Sequence, residues 1–96
     1  MTIHVLGEVP IGDLDQFLAV FSTDGLAKRQ EHGCSGATVL SPIHESGRVV
    51  VILEFADEQS FQAFRDDATA PPIMRRGGAQ GPPTFTVLQQ VGSYPH

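Results

Sequence analysis

Arg48-Val49-Val50-Val51-Ile52-Leu53-Glu54-Phe55 is the stretch whose reading decides the fold. Five aliphatic residues run in succession between two charged ones, Arg48 and Glu54. A run so short and so rich in Val and Ile reads as a β-strand, because branched side chains lose little rotamer freedom on a pleated surface. A strand with one wet face alternates apolar and polar residues, whereas this one is apolar on both faces. Both sides of the sheet it joins must therefore be covered. That is a demanding requirement for a chain of 96 residues, since a domain of this size buries only a modest core.

On the N-terminal side of the strand, His44-Glu45-Ser46-Gly47 is a turn, and residues 37–43 form the partner strand of a hairpin. Pro42 cannot donate to a ladder, which places that partner at a sheet edge. On the C-terminal side, Asp57 caps a helix whose inward face is Phe61, Phe64 and Ala68, at three- and four-residue spacing. Thr69-Ala70-Pro71-Pro72 breaks it. Ile73-Met74-Arg75-Arg76 adds one helical turn begun by the prolines and stopped by Gly77-Gly78, and a last strand occupies 84–91.

At the start of the chain, residues 2–9 alternate Ile3, Val5, Gly7 and Val9 against His4, Leu6 and Glu8, the pattern of a first strand. Asp13 caps a helix carrying Leu14, Phe17, Leu18 and Phe21 on one face. Ser22-Thr23-Asp24-Gly25 weakens it, Thr23 or Asp24 restarts it, and His32-Gly33 ends it with a glycine suited to a left-handed termination.

The order strand, helix, strand, strand, helix, strand over a single domain, 1–96, predicts an α+β fold of the ferredoxin-like βαββαβ kind. Its four-stranded antiparallel sheet has the first and third strands in the middle and the helices on one face. The other face has no helix left to cover it, so the apolar 49–53 run predicts a homodimer packed sheet to sheet.

Composition narrows the partners. Acidic residues number 11 against 6 basic ones, for a net charge of −5, and no basic cluster stands out. That argues against nucleic acid or an anionic membrane as partner. Cys34 is the only cysteine, so a thiol-reducing compartment suits the chain and a cytoplasmic location is expected. No apolar run approaches the length of a membrane span.

Three stretches carry a resemblance: Val9-Pro10-Ile11-Gly12-Asp13-Leu14-Asp15-Gln16-Phe17, Glu31-His32-Gly33-Cys34, and Leu53-Glu54-Phe55-Ala56-Asp57-Glu58. Together they resemble the antibiotic biosynthesis monooxygenase family, whose members are dimeric α+β barrels. The resemblance implies a pocket between sheet and helices in each subunit, and it includes cofactor-independent oxygenases of anthrone- and quinol-like polyketide intermediates and haem-degrading enzymes. Where such enzymes commonly use Asn, Trp or Tyr, and a His on the second helix, this chain has no Trp and no Asn, and Phe64 stands about where that His would fall.

The candidate catalytic groups are His4, His32 and Glu54. His4 lies in a central strand and is either a packed side chain or a pocket acid or base. His32 continues the inward helical face, or is a helix-end residue favoured by the dipole. Glu54, which resembles the family's glutamate at that position, is either one half of an ion pair with Arg29 or Arg48 or a raised-pKa base. The candidate substrate-binding residues are Phe17, Phe21, Gly25, Phe61 and Phe64. The phenylalanines also read as core, and Gly25 either opens space for a ligand or marks a helix kink. Cys34 reads as a buried, unreactive thiol. His4, His32, His44 and Cys34 show no metal-ligand spacing, so no metal and no cofactor are expected, and Arg75-Arg76 reads as a solvated helix end or a contact for an anion at the pocket mouth.

These residues and the resemblance support a cofactor-free monooxygenase acting on a small aromatic or polyketide-like molecule. A cyclase or isomerase using the same pocket without oxygen, and a non-catalytic small-molecule-binding dimer, are the alternatives.

Overall fold

The two central strands pair along their whole length. In the computed structural model, which describes residues 2–95, β1 (Ile3–Pro10) runs antiparallel to β3 (Arg48–Phe55) from Ile3 opposite Phe55 to Pro10 opposite Arg48. β2 (Gly36–Leu40) extends the sheet beyond β3 and β4 (Thr84–Leu88) beyond β1. The order β2-β3-β1-β4 is the one expected. Four short helices connect the strands: α1 (Leu14–Phe21), α2 (Asp24–Glu31), α3 (Glu58–Arg65) and α4 (Ala70–Arg76).

Strand residues separate by parity, since side chains alternate across a sheet. Ile3, Val5 and Val9 of β1 and Val49, Val51, Leu53 and Phe55 of β3 are buried under the helices, in one core with Ile11, Phe17 and Phe61. The even-numbered set, His4, Leu6, Val50, Ile52 and Glu54, is only partly covered and forms the opposite face. Gly7 belongs to the buried set for a steric reason. A Cβ there would stand 2.9 Å from Val51 Cγ2 and 3.0 Å from Phe85 Cε1, so the missing side chain is what lets Phe85 lie across the sheet.

The helix boundaries follow local chemistry. Asp13 accepts from the Asp15 N–H at 3.2 Å, and Asp57 from the Ser60 N–H at 2.8 Å, each filling one of the unpaired donors of a first turn. Gly33 has φ +78° and Gly78 has φ +83°, the left-handed values at which a β-carbon is strained. The expected break after Phe21 is a full separation into α1 and α2. Thr23 precedes α2, but its hydroxyl donates back to the Ala19 carbonyl at 2.8 Å and does not cap the new helix.

Three expectations are corrected. Ala68 is not on the inward face of α3, because the helix ends at Arg65 and Ala68 is exposed beyond it. The last helix is longer than the single turn Ile73–Arg76, since α4 starts at Ala70; the prolines do begin it, lying in its first turn, where an absent N–H costs nothing. β2 and β4 stop at Leu40 and Leu88, short of 43 and 91. Pro42 follows the first, and Ile43 and Val91 stand 92% and 87% exposed.

Candidate functional site

α4 packs against both α1 and α2, and the space enclosed between these helices and the sheet is a cavity of about 320 Å³. Val9, Val51, Leu53 and Phe85 form its sheet side, and Phe17, Val20 and Phe21 of α1 form one wall. Gly25 and Arg29 of α2 continue that wall, with Phe64 of α3 beside them, and Ile73 and Met74 of α4 close the far side. Pro82 and Pro83 complete the rim, on a segment tied back to the end of β1 by the Gln80 N–H bonded to the Pro10 carbonyl at 2.8 Å. The volume is that of a small-ligand site.

Four of the five expected binding residues, Phe17, Phe21, Gly25 and Phe64, line this cavity. Phe61 does not. It is 1% exposed and spends its ring on Phe55 and Phe85, at centroid distances of 5.7 and 5.3 Å.

The expected catalytic residues are not brought together. His4 and Glu54 lie on the sheet face away from the cavity, with Nδ1 and Oε1 3.8 Å apart. Period-two alternation is the reason, since both positions are even-numbered in strands whose odd-numbered residues face the helices. Glu54 also pairs with neither arginine considered from the sequence. Arg48 bonds Glu8 and Glu45, both at 3.1 Å, and Arg29 lies under the helices. His32 is on the helix side but outside the cavity wall, its ring set edge-on to Phe64 at 5.9 Å. Arg76 bonds Asp24 at 2.7 Å, and neither Arg75 nor Arg76 lines the cavity.

His32 belongs instead to a polar cluster. Its Nε2 is 2.8 Å from Asp67 Oδ2, and Lys28 Nζ bonds Glu31 at 2.6 Å and Asp67 at 3.1 Å. Glu31, His32 and Asp67 place ligand-type atoms within 4.8 Å of one another. The Lys28 ammonium already supplies the positive charge between the two carboxylates. The Asp67 carboxyl is held well below the usual carboxylate range, first by the Thr69 hydroxyl, then by His32, the Thr69 N–H and Lys28.

A depressed acid pKa stabilises the fold at every pH above the ordinary carboxylate value, about 3.9, and that contribution fades as the pH falls below it. Asp67→Asn, which keeps an oxygen for Thr69 but loses the charge, is therefore expected to lower Tm at pH 6. The difference from the wild type should shrink as the pH is taken toward 2.5. Thermal melts at the two pH values check this, and a constant difference would remove the charge from the account.

In the sequence Arg29 shows only as a conceivable partner for Glu54. It stands one helical turn after Gly25, the i+4 spacing that places two residues on one face, and that spacing is the available signal. Its guanidinium carbon is 3.7 Å from the centroid of the Phe21 ring, and Nη1 donates to the Phe21 carbonyl at 3.0 Å. A β-carbon on residue 25 would be 3.2 Å from that Nη1. Gly25 does open space, and Arg29 fills it. The prolines mask α4 in the sequence, where it shows as a single turn, and so hide its role as a cavity wall.

Residues 1–70 match the sequence profile of the antibiotic biosynthesis monooxygenase family, and the chain belongs to that family. Among curated proteins no sequence matches it. Its fold is similar to that of SnoaB, a cofactor-independent oxygenase from Streptomyces nogalater, with TM-score 0.77 and 13% identity over 99% of this chain and 98% of that one. A proposed antibiotic biosynthesis monooxygenase from Bordetella bronchiseptica gives 0.76 and 16%, over 94% and 97% of the two chains. A further one from Caulobacter crescentus CB15 gives 0.71 and 20%, over 95% and 91%. At these identities the likeness is one of fold. Among the described residues, no helix is long and apolar enough to cross a membrane.

Proposed function

We propose that this chain is a cofactor-independent monooxygenase that takes a small aromatic or polyketide-like molecule into the cavity between its sheet and helices. The observation that carries the reading is the apolar, aromatic-walled cavity of about 320 Å³ in a chain of this family. The reaction converts an activated methylene of the substrate to a carbonyl at the expense of one molecule of dioxygen. One oxygen atom becomes the carbonyl oxygen, and the other leaves as water with the two methylene hydrogens. Removal of the first proton leaves a carbanion delocalised onto the ring oxygens, and that carbanion is the electron donor to dioxygen. The protein supplies desolvation, orientation and a proton acceptor.

Of the three candidate bases only His32 lies on the helix side of the sheet; it stands outside the cavity wall, edge-on to Phe64, so this reading assigns it as an acceptor reached through a bridging water. An ionised Asp67 can only accept a hydrogen bond, so it takes the Nε2–H of His32 and leaves Nδ1 as the basic nitrogen. Oxygen-electrode assays with a hydroxyanthrone are expected to show one dioxygen consumed per quinone formed. His32→Ala should lower the rate about 10²-fold or more, and His4→Ala should leave it unchanged. Product formed under strict anaerobiosis would favour a cyclase or isomerase, and full oxygen uptake by His32→Ala would dismiss the assigned base.

A second reading, non-catalytic binding, has a specific observation in its favour. Among the described residues, the cavity wall contains no His, Asp, Glu, Cys, Ser, Thr or Tyr. Saturable ligand binding with no product from any oxidisable phenol would select it.

The functional unit in either case is a homodimer. The uncovered sheet face presents Leu6, Val50 and Ile52 at its centre, with Leu40 and Leu88 on the outer strands at 48% and 42% exposure. His4 and Glu54 border this band at one end, and Glu8 and Arg48 at the other. An apolar patch with a polar rim is the signature of a protein contact. A second copy offers the same patch in return. The free thiol of Cys34 fits a cytoplasmic location.

A further inference from the structure

Among the described residues, every titratable side chain in the cavity wall is a cation: Lys28, Arg29 and Arg65. On a chain of net charge −5 this is a local reversal of sign. Two of the three are matched, Lys28 by Glu31 and Asp67, and Arg65 by Asp66 at 3.3 Å. Arg29 is the exception. It is only 7% exposed, and no carboxylate of the described residues comes within 4.0 Å of it.

A guanidinium has five N–H donors, and among the described residues the sole acceptor of an Arg29 hydrogen bond is the Phe21 carbonyl. None of the described side-chain nitrogens or oxygens is both sealed from solvent and unbonded. The remaining Arg29 N–H groups therefore reach open space, and the space Arg29 lines is the cavity. A buried charge without a counter-charge is costly, and burial accordingly pushes the Arg29 pKa down from the usual arginine value. The Phe21 ring covers one face of the guanidinium and holds its plane. That leaves the donor edge, the part that recognises paired or delocalised anionic oxygens.

We propose that Arg29 recognises the anionic oxygen of an aromatic ligand, so that the cavity selects aromatic oxyanions, carboxylates or ionised phenols, over neutral molecules of the same shape. The ligand's apolar body rests on the phenylalanine, valine and methionine wall, and its charged end meets the one buried cation that lacks a partner among the described residues. The inference rests on the reading of the cavity as a ligand site.

Calorimetric titration with matched ligands tests it. Naphthalene-2-carboxylate is compared with naphthalene-2-carboxamide, its neutral isostere, and 4-nitrophenol is titrated below and above its own ionisation near neutral pH. The wild type is expected to prefer the anion about 10-fold or more in at least one arm, and the arm that responds tells carboxylate from phenolate. Arg29→Met should abolish the preference, weakening the anion far more than the neutral ligand, and Arg29→Lys should keep part of it. The wild-type comparison stands even if Arg29→Met fails to fold. Equal binding of anion and neutral isostere in both arms, or a preference that persists in Arg29→Met, overturns the inference and leaves the cavity reading intact. No binding of any of these ligands overturns both.

Discussion

Ile52→Lys is expected to turn the proposed homodimer into a monomer. Ile52 sits between Leu6 and Thr38 on the uncovered sheet face, in the middle of the apolar band. In a two-fold contact each copy brings the substitution, so two unpaired ammonium groups would enter the interface. An uncompensated buried charge costs about 3–5 kcal/mol, so the two together cost about 6–10 kcal/mol, a dimer dissociation constant raised about 10⁴- to 10⁷-fold. The odd-numbered core residues on the other side of the sheet are untouched, so the monomer should keep the wild-type circular dichroism. Sedimentation equilibrium from nanomolar to micromolar concentration makes the measurement. A variant that sediments as an unchanged dimer would mean that the copies meet through another surface.

Phe61→Ala carries the largest expected effect on the monomer itself. Phe61 is 1% exposed and touches Phe55 on one side and Phe85 on the other, so it joins α3 to both a central and an edge strand. Truncating a buried phenylalanine costs about 3–5 kcal/mol, a large share of the roughly 5–15 kcal/mol that holds a domain together. For a domain of this size Tm should fall by about 15 °C or more. Because dimerisation would also raise Tm, wild type and variant must be melted at the same protein concentration. A loss under about 5 °C would show that Phe55 and Phe85 close over the gap.

How far the sequence leads depends on which physical signal each feature leaves. The sheet is legible because 49–53 can only be a strand, and the parity of Ile3, Val5 and Val9 against His4 and Leu6 needs no tertiary context. The left-handed stop at Gly33 and the stop at Gly77-Gly78 are legible because they are local. Phe17, Phe21, Gly25 and Phe64 are found because cavity and core share one helical face. The catalytic candidates fare differently. His4 and Glu54 stand out by chemical type, yet the same parity rule that identifies β1 and β3 sends both to the far side of the sheet. Arg29 escapes notice because arginine at such a helical position ordinarily points to water. Its burial depends on the absent side chain of Gly25 and on the Phe21 ring, a conjunction of three residues that no single-residue preference reveals.

The strict odd–even division of β3 has a consequence for how such a chain can change over time. Val51 and Leu53 belong to the cavity and Val50 and Ile52 to the uncovered face, so under the proposed reading one strand serves two purposes through interleaved positions. Substitutions at odd positions can retune what the cavity accepts while the even positions keep assembly unaltered, and the reverse also holds. Single replacements are thus free to explore one trait at a time. An insertion or deletion of one residue within the strand would exchange the two sets at a stroke, so selection should tolerate side-chain drift here but hold the strand's length fixed.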